Sequence, residues 1–372
     1  MTSKPRVLSV VGVRPQFVKH APVSAAMAGR VDEVLIHTGQ HYDYAMSRVF
    51  FEELGIRAPD RHLEVGSGTH AEQTGRVMER VDAAIGELAP DLVLVFGDTN
   101  STLGAALAAA ERGVPLAHVE AGVRTGMMAM AEEQNRVLTD HASDLLFAPT
   151  SDAVAHLERE AVPGAIHLTG DVMRDALEQH LARARTRPDP VARYGVQEGG
   201  FLLLTVHRAE NTDDPAALAG IVAGLALIAE PVLFPMHPRT RAAVERAGLA
   251  ARLGALSHVQ VLDPVGYLDM LRLEAAARLI VTDSGGMQKE AYLLATPCLT
   301  LFPRTSWIET VSAGWNRLVP DYGAALAQAI RELAPPAARP ELYGDGHAAT
   351  RIVELLAGYL ASAGSRPAAA RG

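Results

Sequence analysis

Residues 280–290 read IVTDSGGMQKE, and this stretch decides the fold. A buried apolar strand comes first, then Ser-Gly-Gly, then a helix rich in polar residues. That is the repeating unit of a parallel α/β sheet. Glycines at such a turn let a ligand approach the backbone, and free N–H groups at the helix start favour a phosphate. The plainer alternative is a tight turn with Ser284 as N-cap. Neither a GxGxxG nor a P-loop occurs in the chain, which argues against a nicotinamide enzyme or a P-loop kinase.

The same alternation extends outward in both directions. Short β-rich runs are predicted at 6–12, 33–39, 92–97, 115–120, 145–148 and 166–170, nearly all apolar on both faces, as buried parallel strands are. After the charged, proline-bearing stretch 182–200 the pattern restarts, with strands at 201–206, 232–236, 259–262, 279–282, 298–301 and 317–319. The expected fold class is α/β: two Rossmann-like, doubly wound domains in series. A length of 372 residues fits two domains. In such sheets ligands bind beyond the carboxyl ends of the strands, which places the expected site in a cleft between the domains.

Composition removes several classes of function. Hydrophobic residues at 48% and charged residues at 21% exclude a disordered chain, and a net charge of −9 gives no field for a polyanion, so no nucleic-acid partner is expected. The single cysteine, Cys298, lies in an apolar run; it allows neither an intrachain disulfide nor a cysteine zinc cluster, which points to a reducing, cytoplasmic setting. The N-terminal apolar stretch is too short for a signal or a span, so no membrane association is expected. The histidines show no HExxH spacing, and His37, His118, His167 and His258 read as structural; no metal and no cofactor are called for.

The strand-end rule selects Arg14, Gln40, His41, Asp98, Glu120, His207, His237 and Ser284. Any one of them alone could be a helix cap or a solvated loop residue. The segment AEEQNR adds Glu132 and Glu133, with Asn135 and Arg136 one turn on. Several carboxylates in one cleft suit proton transfer at carbon or cleavage of a glycosidic bond. Glu133 reads as a solvated charge on the outer face of its helix.

The blocks GVRPQFVKHAP, HTGQHYDYAMSRVFFEELGI, VFGDTNSTLGAALAAAERGVPLAHVEAGVRT, EEQNRVLTDHASDLLFAPT, TGDVMRD, TVHRAENTDDP, HPRTR, PVGYLDM, TDSGGMQKEAYLL and YGDG resemble the UDP-N-acetylglucosamine 2-epimerase family in order and spacing. TVHRAENTDDP and PVGYLDM look most like the branch acting on UDP-2,3-diacetamido-2,3-dideoxyglucuronate. The resemblance implies the GT-B-like arrangement of nucleotide-sugar glycosyltransferases. The first domain would cover 1–172, rejoined by a C-terminal helix over 351–372, and a UDP-binding domain would cover 173–350. It implies a homodimer acting on a UDP-sugar without a cofactor. The reaction would eliminate UDP across carbons 1 and 2 and return it after inversion at carbon 2.

By the same resemblance the three catalytic carboxylates fall on Asp98, Glu120 and Glu132. His207, counted with the catalytic groups, and Arg14 correspond to the pair that steadies the leaving diphosphate. Ser284, Gly285 and Gly286 match the phosphate-binding turn, and Glu290 the carboxylate that holds the ribose hydroxyls. Lys19, Gln40, His41, Arg136 and His237 fall in matching blocks and are expected at the substrate.

Two segments depart from the family pattern. The loop before the double glutamate reads RTGMMAMAEE where relatives carry a polar residue and then Met-Pro, and LFPRTSW stands where they read LRDETEW. Met127, Ala129, Ala131, Phe302 and Ser306 carry the changes, in segments expected to face the sugar. Three activities are therefore weighed: a 2-epimerase; a hydrolase or glycosyltransferase using the same donor; and a binder without turnover. Retention of Asp98, Glu120 and Glu132 together disfavours the binder, because crowded carboxylates are costly to keep.

Overall fold

A computed structural model describes residues 4–39 and 57–364. The chain divides into two compact units, Met1–Glu178 with Glu341–Gly372, and Gln179–Pro340. Each unit is built around one parallel sheet. The first holds β1 (Arg6–Val11), β2 (Asp32–His37), β3 (Arg61–His62), β4 (Leu92–Phe96), β5 (Leu116–Val119), β6 (Leu145–Ala148) and β7 (Ala165–Leu168), in the order β3-β2-β1-β4-β5-β6-β7. The second holds β8 (Leu202–Thr205), β9 (Val232–Pro235), β10 (Val259–Leu262), β11 (Leu279–Thr282), β12 (Cys298–Thr300) and β13 (Asn316–Leu318), in the order β10-β9-β8-β11-β12-β13.

The apolar runs became the inner strands because residues on both faces are covered. All of β4, β8 and β11 is buried, and the second core gathers Leu202, Leu204, Phe234 and Val281 with helix residues such as Ile221 and Leu326. The edge strands β7 and β10 are half-exposed or exposed over most of their length, so the expectation of two apolar faces holds only inside the sheets. Strand β3 has a sequence too polar and too short to announce itself. Its backbone nonetheless pairs in register with Ile36 and His37.

The stretch 182–200 is packed rather than a bare linker. The helix Val172–Ala184 runs into it, Asp189 caps the short helix Pro190–Arg193, and Val191 joins the second unit's core. Cys298 is buried there, and burial pushes its thiol up to about 12.

Strand order reverses between β1 and β4 in the first sheet, and between β8 and β11 in the second. Splayed connections at such a switch point leave a crevice at the carboxyl edge, the usual ligand position. At the end of β1 the crevice needs Gly12: a Cβ there would lie 2.1 Å from Ser101 Oγ. Ser101 belongs to the helix Asn100–Glu111, whose N-cap, Thr99, directly follows Asp98.

Candidate active site

In the first unit, four charged side chains meet at the switch point. Lys19, on the helix Arg14–Met27, puts Nζ 2.5 Å from Oε1 of Glu120, just past β5. Asp98 follows β4 and binds Nη2 of Arg136, on the helix Ala131–Ala142. Lys19 and Glu120 are 9% and 7% exposed, so each is the other's compensation for lost water. Burial acts to lower the Arg136 pKa, but the charges of Asp98, Glu133 and Glu120 hold it above its ordinary value. Carboxylate and cation thus alternate in a small, poorly solvated volume, where fixed charges act strongly on a reacting group.

Backbone geometry supports this cluster. Glu120 has φ 73°, a left-handed conformation costing a non-glycine residue roughly 1–2 kcal/mol. It is held there by the bond from its N–H to Phe147 O at 3.2 Å and by Lys19 at the tip of its side chain. Such strain concentrates at functional sites. The turn bearing Asp98 is fixed by Asn135 Nδ2, which donates to Asp98 O at 2.9 Å, and by the His118 ring, 2.8 Å from Gly97 O. His118 itself is held at 2.7 Å by Asp140, which also pairs with Arg124.

The second unit gathers its groups around Asp283, the residue after β11. This fully buried carboxylate accepts the N–H groups of His207 and Arg208 and the amide of Asn211, and lies 3.0 Å from His207 Nδ1. Burial alone would raise its pKa; the His207 ring, Asn211 and the Arg208 N–H hold it below the ordinary value. Ser284 caps the helix Gly285–Leu293. A Cβ on Gly286 would meet nothing within 4 Å, and one on Gly285 only ordinary contacts from Arg208 and Trp307. Packing within the protein therefore does not require glycine at either position, which leaves room for a ligand against the backbone.

One helix turn on, the buried Glu290 accepts from Tyr267 Oη at 2.8 Å. Burial raises the pKa of Glu290, against the effects of Tyr267 and Lys289. Burial and the neighbouring Glu290 also push Glu274 well up, and neither Glu274 oxygen has a hydrogen-bond partner. His237 caps the helix Pro238–Arg246 through Nδ1, with its ring centroid 6.2 Å from that of His207.

Comparison with known proteins gives this arrangement a family. A family model described as UDP-N-acetylglucosamine 2-epimerase matches residues 25–357. The chain belongs to the UDP-N-acetylglucosamine 2-epimerase family. It is 44% identical to the UDP-2,3-diacetamido-2,3-dideoxy-D-glucuronate 2-epimerase of Pseudomonas aeruginosa, over 95% of this chain and 99% of that protein. It is 42% identical to a UDP-N-acetylglucosamine 2-epimerase homolog of Methanococcus maripaludis, over 94% of this chain and 99% of that one. The crystal structure of Methanocaldococcus jannaschii UDP-GlcNAc 2-epimerase in complex with UDP-GlcNAc and UDP matches with a TM-score of 0.86 at 39% identity, covering 94% of this chain and 99% of that chain.

Within this family member, the structure brings Lys19, Asp98, Glu120 and Arg136 together in one unit, and His207, His237, Ser284, Gly285, Gly286 and Glu290 around one sheet edge in the other. Glu132 is exposed in the first turn of its helix. Arg14 opens the helix after β1. Gln40 and His41 lie outside the described residues.

The reading of Glu133 as a solvated surface charge is overturned. Glu133 is 1% exposed and is bonded to the 125–126 backbone and to Arg136. Its helix turns the second glutamate of the pair inward and leaves the first outward, a phase that the short segment AEEQNR did not fix. Asp283 was missed as well. Its position directly after a strand carried the same signal that selected Ser284.

Among the described residues, no cluster of three or more His, Cys, Asp or Glu is placed to hold a metal, and no helix is long and apolar enough to cross a membrane.

Proposed function

We propose that this protein is a UDP-sugar 2-epimerase, an isomerase that inverts carbon 2 of a UDP-2-acetamido sugar, UDP-GlcNAc or a diacetamido-uronate derivative. The observation that carries the reading is the buried Lys19–Glu120 pair beside the part-buried Arg136–Asp98 pair at a switch point, in a chain of this family. Such a set offers carboxylates for proton transfer beside cations that stabilise developing negative charge.

In the forward half a carboxylate takes the carbon-2 proton while the bond from carbon 1 to the UDP oxygen breaks, giving a glycal and UDP. In the return half a UDP oxygen adds to carbon 1 and a proton reaches carbon 2 on the opposite face. Atoms and charge balance without a cofactor. Asp98, Glu120 and Glu132 are assigned to the proton transfers, and Lys19 and Arg136 to contacts with the sugar. His207, braced by Asp283, and Arg14 steady the diphosphate with the Ser284–Gly285–Gly286 turn. Glu290 takes the ribose, and His237, Gln40 and His41 complete the substrate contacts. We assign the protein to the cytoplasm, as a homodimer.

The test is incubation with UDP-GlcNAc, and separately with UDP-2,3-diacetamido-2,3-dideoxyglucuronate, in deuterium oxide, followed by NMR. Deuterium at carbon 2 of an intact UDP-sugar is expected. Free sugar with UDP would convert the reading to a hydrolase, and absence of exchange with both donors would end it.

A further inference from the structure

Glu133 takes no part in the roles above, yet both of its carboxylate oxygens accept hydrogen bonds. Its Oε1 accepts from the Gly126 N–H at 2.8 Å, and its Oε2 from the Thr125 N–H and the Thr125 hydroxyl, each at 2.9 Å. Oε2 also takes Nη1 of Arg136 at 3.0 Å, while Nη2 of the same guanidinium is bound to Asp98. One buried carboxylate therefore fastens two things at once. It pins the backbone of 125–126, from which the chain runs through Met127–Met130 to Glu132. It also fixes one end of Arg136, whose other end holds Asp98.

The distribution of donors matters. Two N–H groups and a hydroxyl share the Glu133 charge, so Arg136 is drawn toward Glu133 without being removed from Asp98. A planar guanidinium held at both terminal nitrogens has little freedom left to rotate. Burial alone would raise the Glu133 pKa, but the Thr125 and Gly126 donors and Arg136 hold it below the ordinary value, so the carboxylate is charged at neutral pH.

We propose that Glu133 is a positioning residue for the epimerisation: it sets the orientation of Arg136, and through it that of Asp98. The inference rests on the epimerase reading. It assigns Glu133 no contact with the sugar.

The experiment uses the full-length chain and whichever of the two UDP-sugars the wild type turns over. Glu133→Gln keeps the shape, but turns an amide NH2 toward the Thr125 and Gly126 N–H donors and removes the charge facing Arg136. The expected result is kcat lowered about 10- to 100-fold, with KM and UDP affinity within about 3-fold of wild type, since the loss falls on arrangement and not on nucleotide binding. Because the effect passes through Asp98, Glu133→Gln added to Asp98→Asn should slow the enzyme by less than about 3-fold beyond Asp98→Asn alone.

A wild-type kcat in Glu133→Gln, or losses that multiply in the double variant, would overturn the proposal. If Glu133→Gln does not fold, Thr125→Val decides, since it removes one donor and leaves the charge: about a 2- to 5-fold loss of kcat supports the proposal and an unchanged kcat overturns it. A wild type inactive on both UDP-sugars would instead end the epimerase reading, and this inference with it.

Discussion

Lys19 and Glu120 are 101 positions apart in the chain, and their charged tips meet at 2.5 Å with both side chains largely shielded from solvent. The lysine comes from the helix after the first strand and the glutamate from the end of the fifth, so the pair spans the switch point of its sheet.

Lys19→Met takes from the buried Glu120, in its strained backbone, the cation 2.5 Å away. The expected loss is roughly 3–5 kcal/mol of stability, the usual consequence of breaking one side of a buried pair. Adding Glu120→Gln should recover more than half of that loss while turnover stays absent. Urea unfolding of the single and double variants checks it, and a single variant as stable as wild type would show that the pair is not energetically coupled.

Asp283→Asn should affect both folding and nucleotide binding. The asparagine turns an NH2 toward N–H donors from the 207–208 backbone and removes the negative charge beside His207, which predicts a loss of about 1–3 kcal/mol in stability. UDP affinity should fall about tenfold as His207 loses its brace. Calorimetric titration with UDP and with uridine separates the effects: the loss should be larger for UDP, and an equal loss for both would rule out a role at the phosphates.

Glu33 supplies a pH test of the first unit. Its side chain is buried at the start of β2. Burial would raise its pKa, but His20, Ser24 and Ser9 outweigh it and hold it at about 2, against an ordinary 4.5. The unfolded chain therefore takes up this proton near 4.5 and the folded chain only near 2. The contribution to stability is complete above about pH 4.5 and drains away as the pH falls toward 2, a total of roughly 3 kcal/mol. Unfolding free energies measured from pH 7 down to 2 should fall less steeply for Glu33→Gln than for wild type. Parallel curves would contradict the assignment.

The sequence itself determined the class of fold, because short apolar runs alternating with helical segments bury both faces of each strand in a parallel sheet covered by helices. IVTDSGGMQKE, VFGDTN and AHVEAG each put a polar residue at a strand end, and that local signal was enough to select Asp98, Glu120 and Ser284. It also named the family, through ordered blocks whose spacing survives in the linear chain.

Only the tertiary structure decided which of these groups act on one another. Lys19 meets Glu120, and Arg136 meets Asp98, through contacts across 101 and 38 residues that no local pattern encodes. Glu133 shows the limit most clearly: adjacent residues on a helix differ by about 100° in direction, so which of two neighbouring glutamates turns inward depends on where the helix axis lies against the sheet. That position is set by packing of the whole unit, where Thr125, Gly126 and Arg136 wait for a carboxylate. Asp283 was legible by position, but its importance came from the donors of His207, Arg208 and Asn211, which reach it from the segment after another strand.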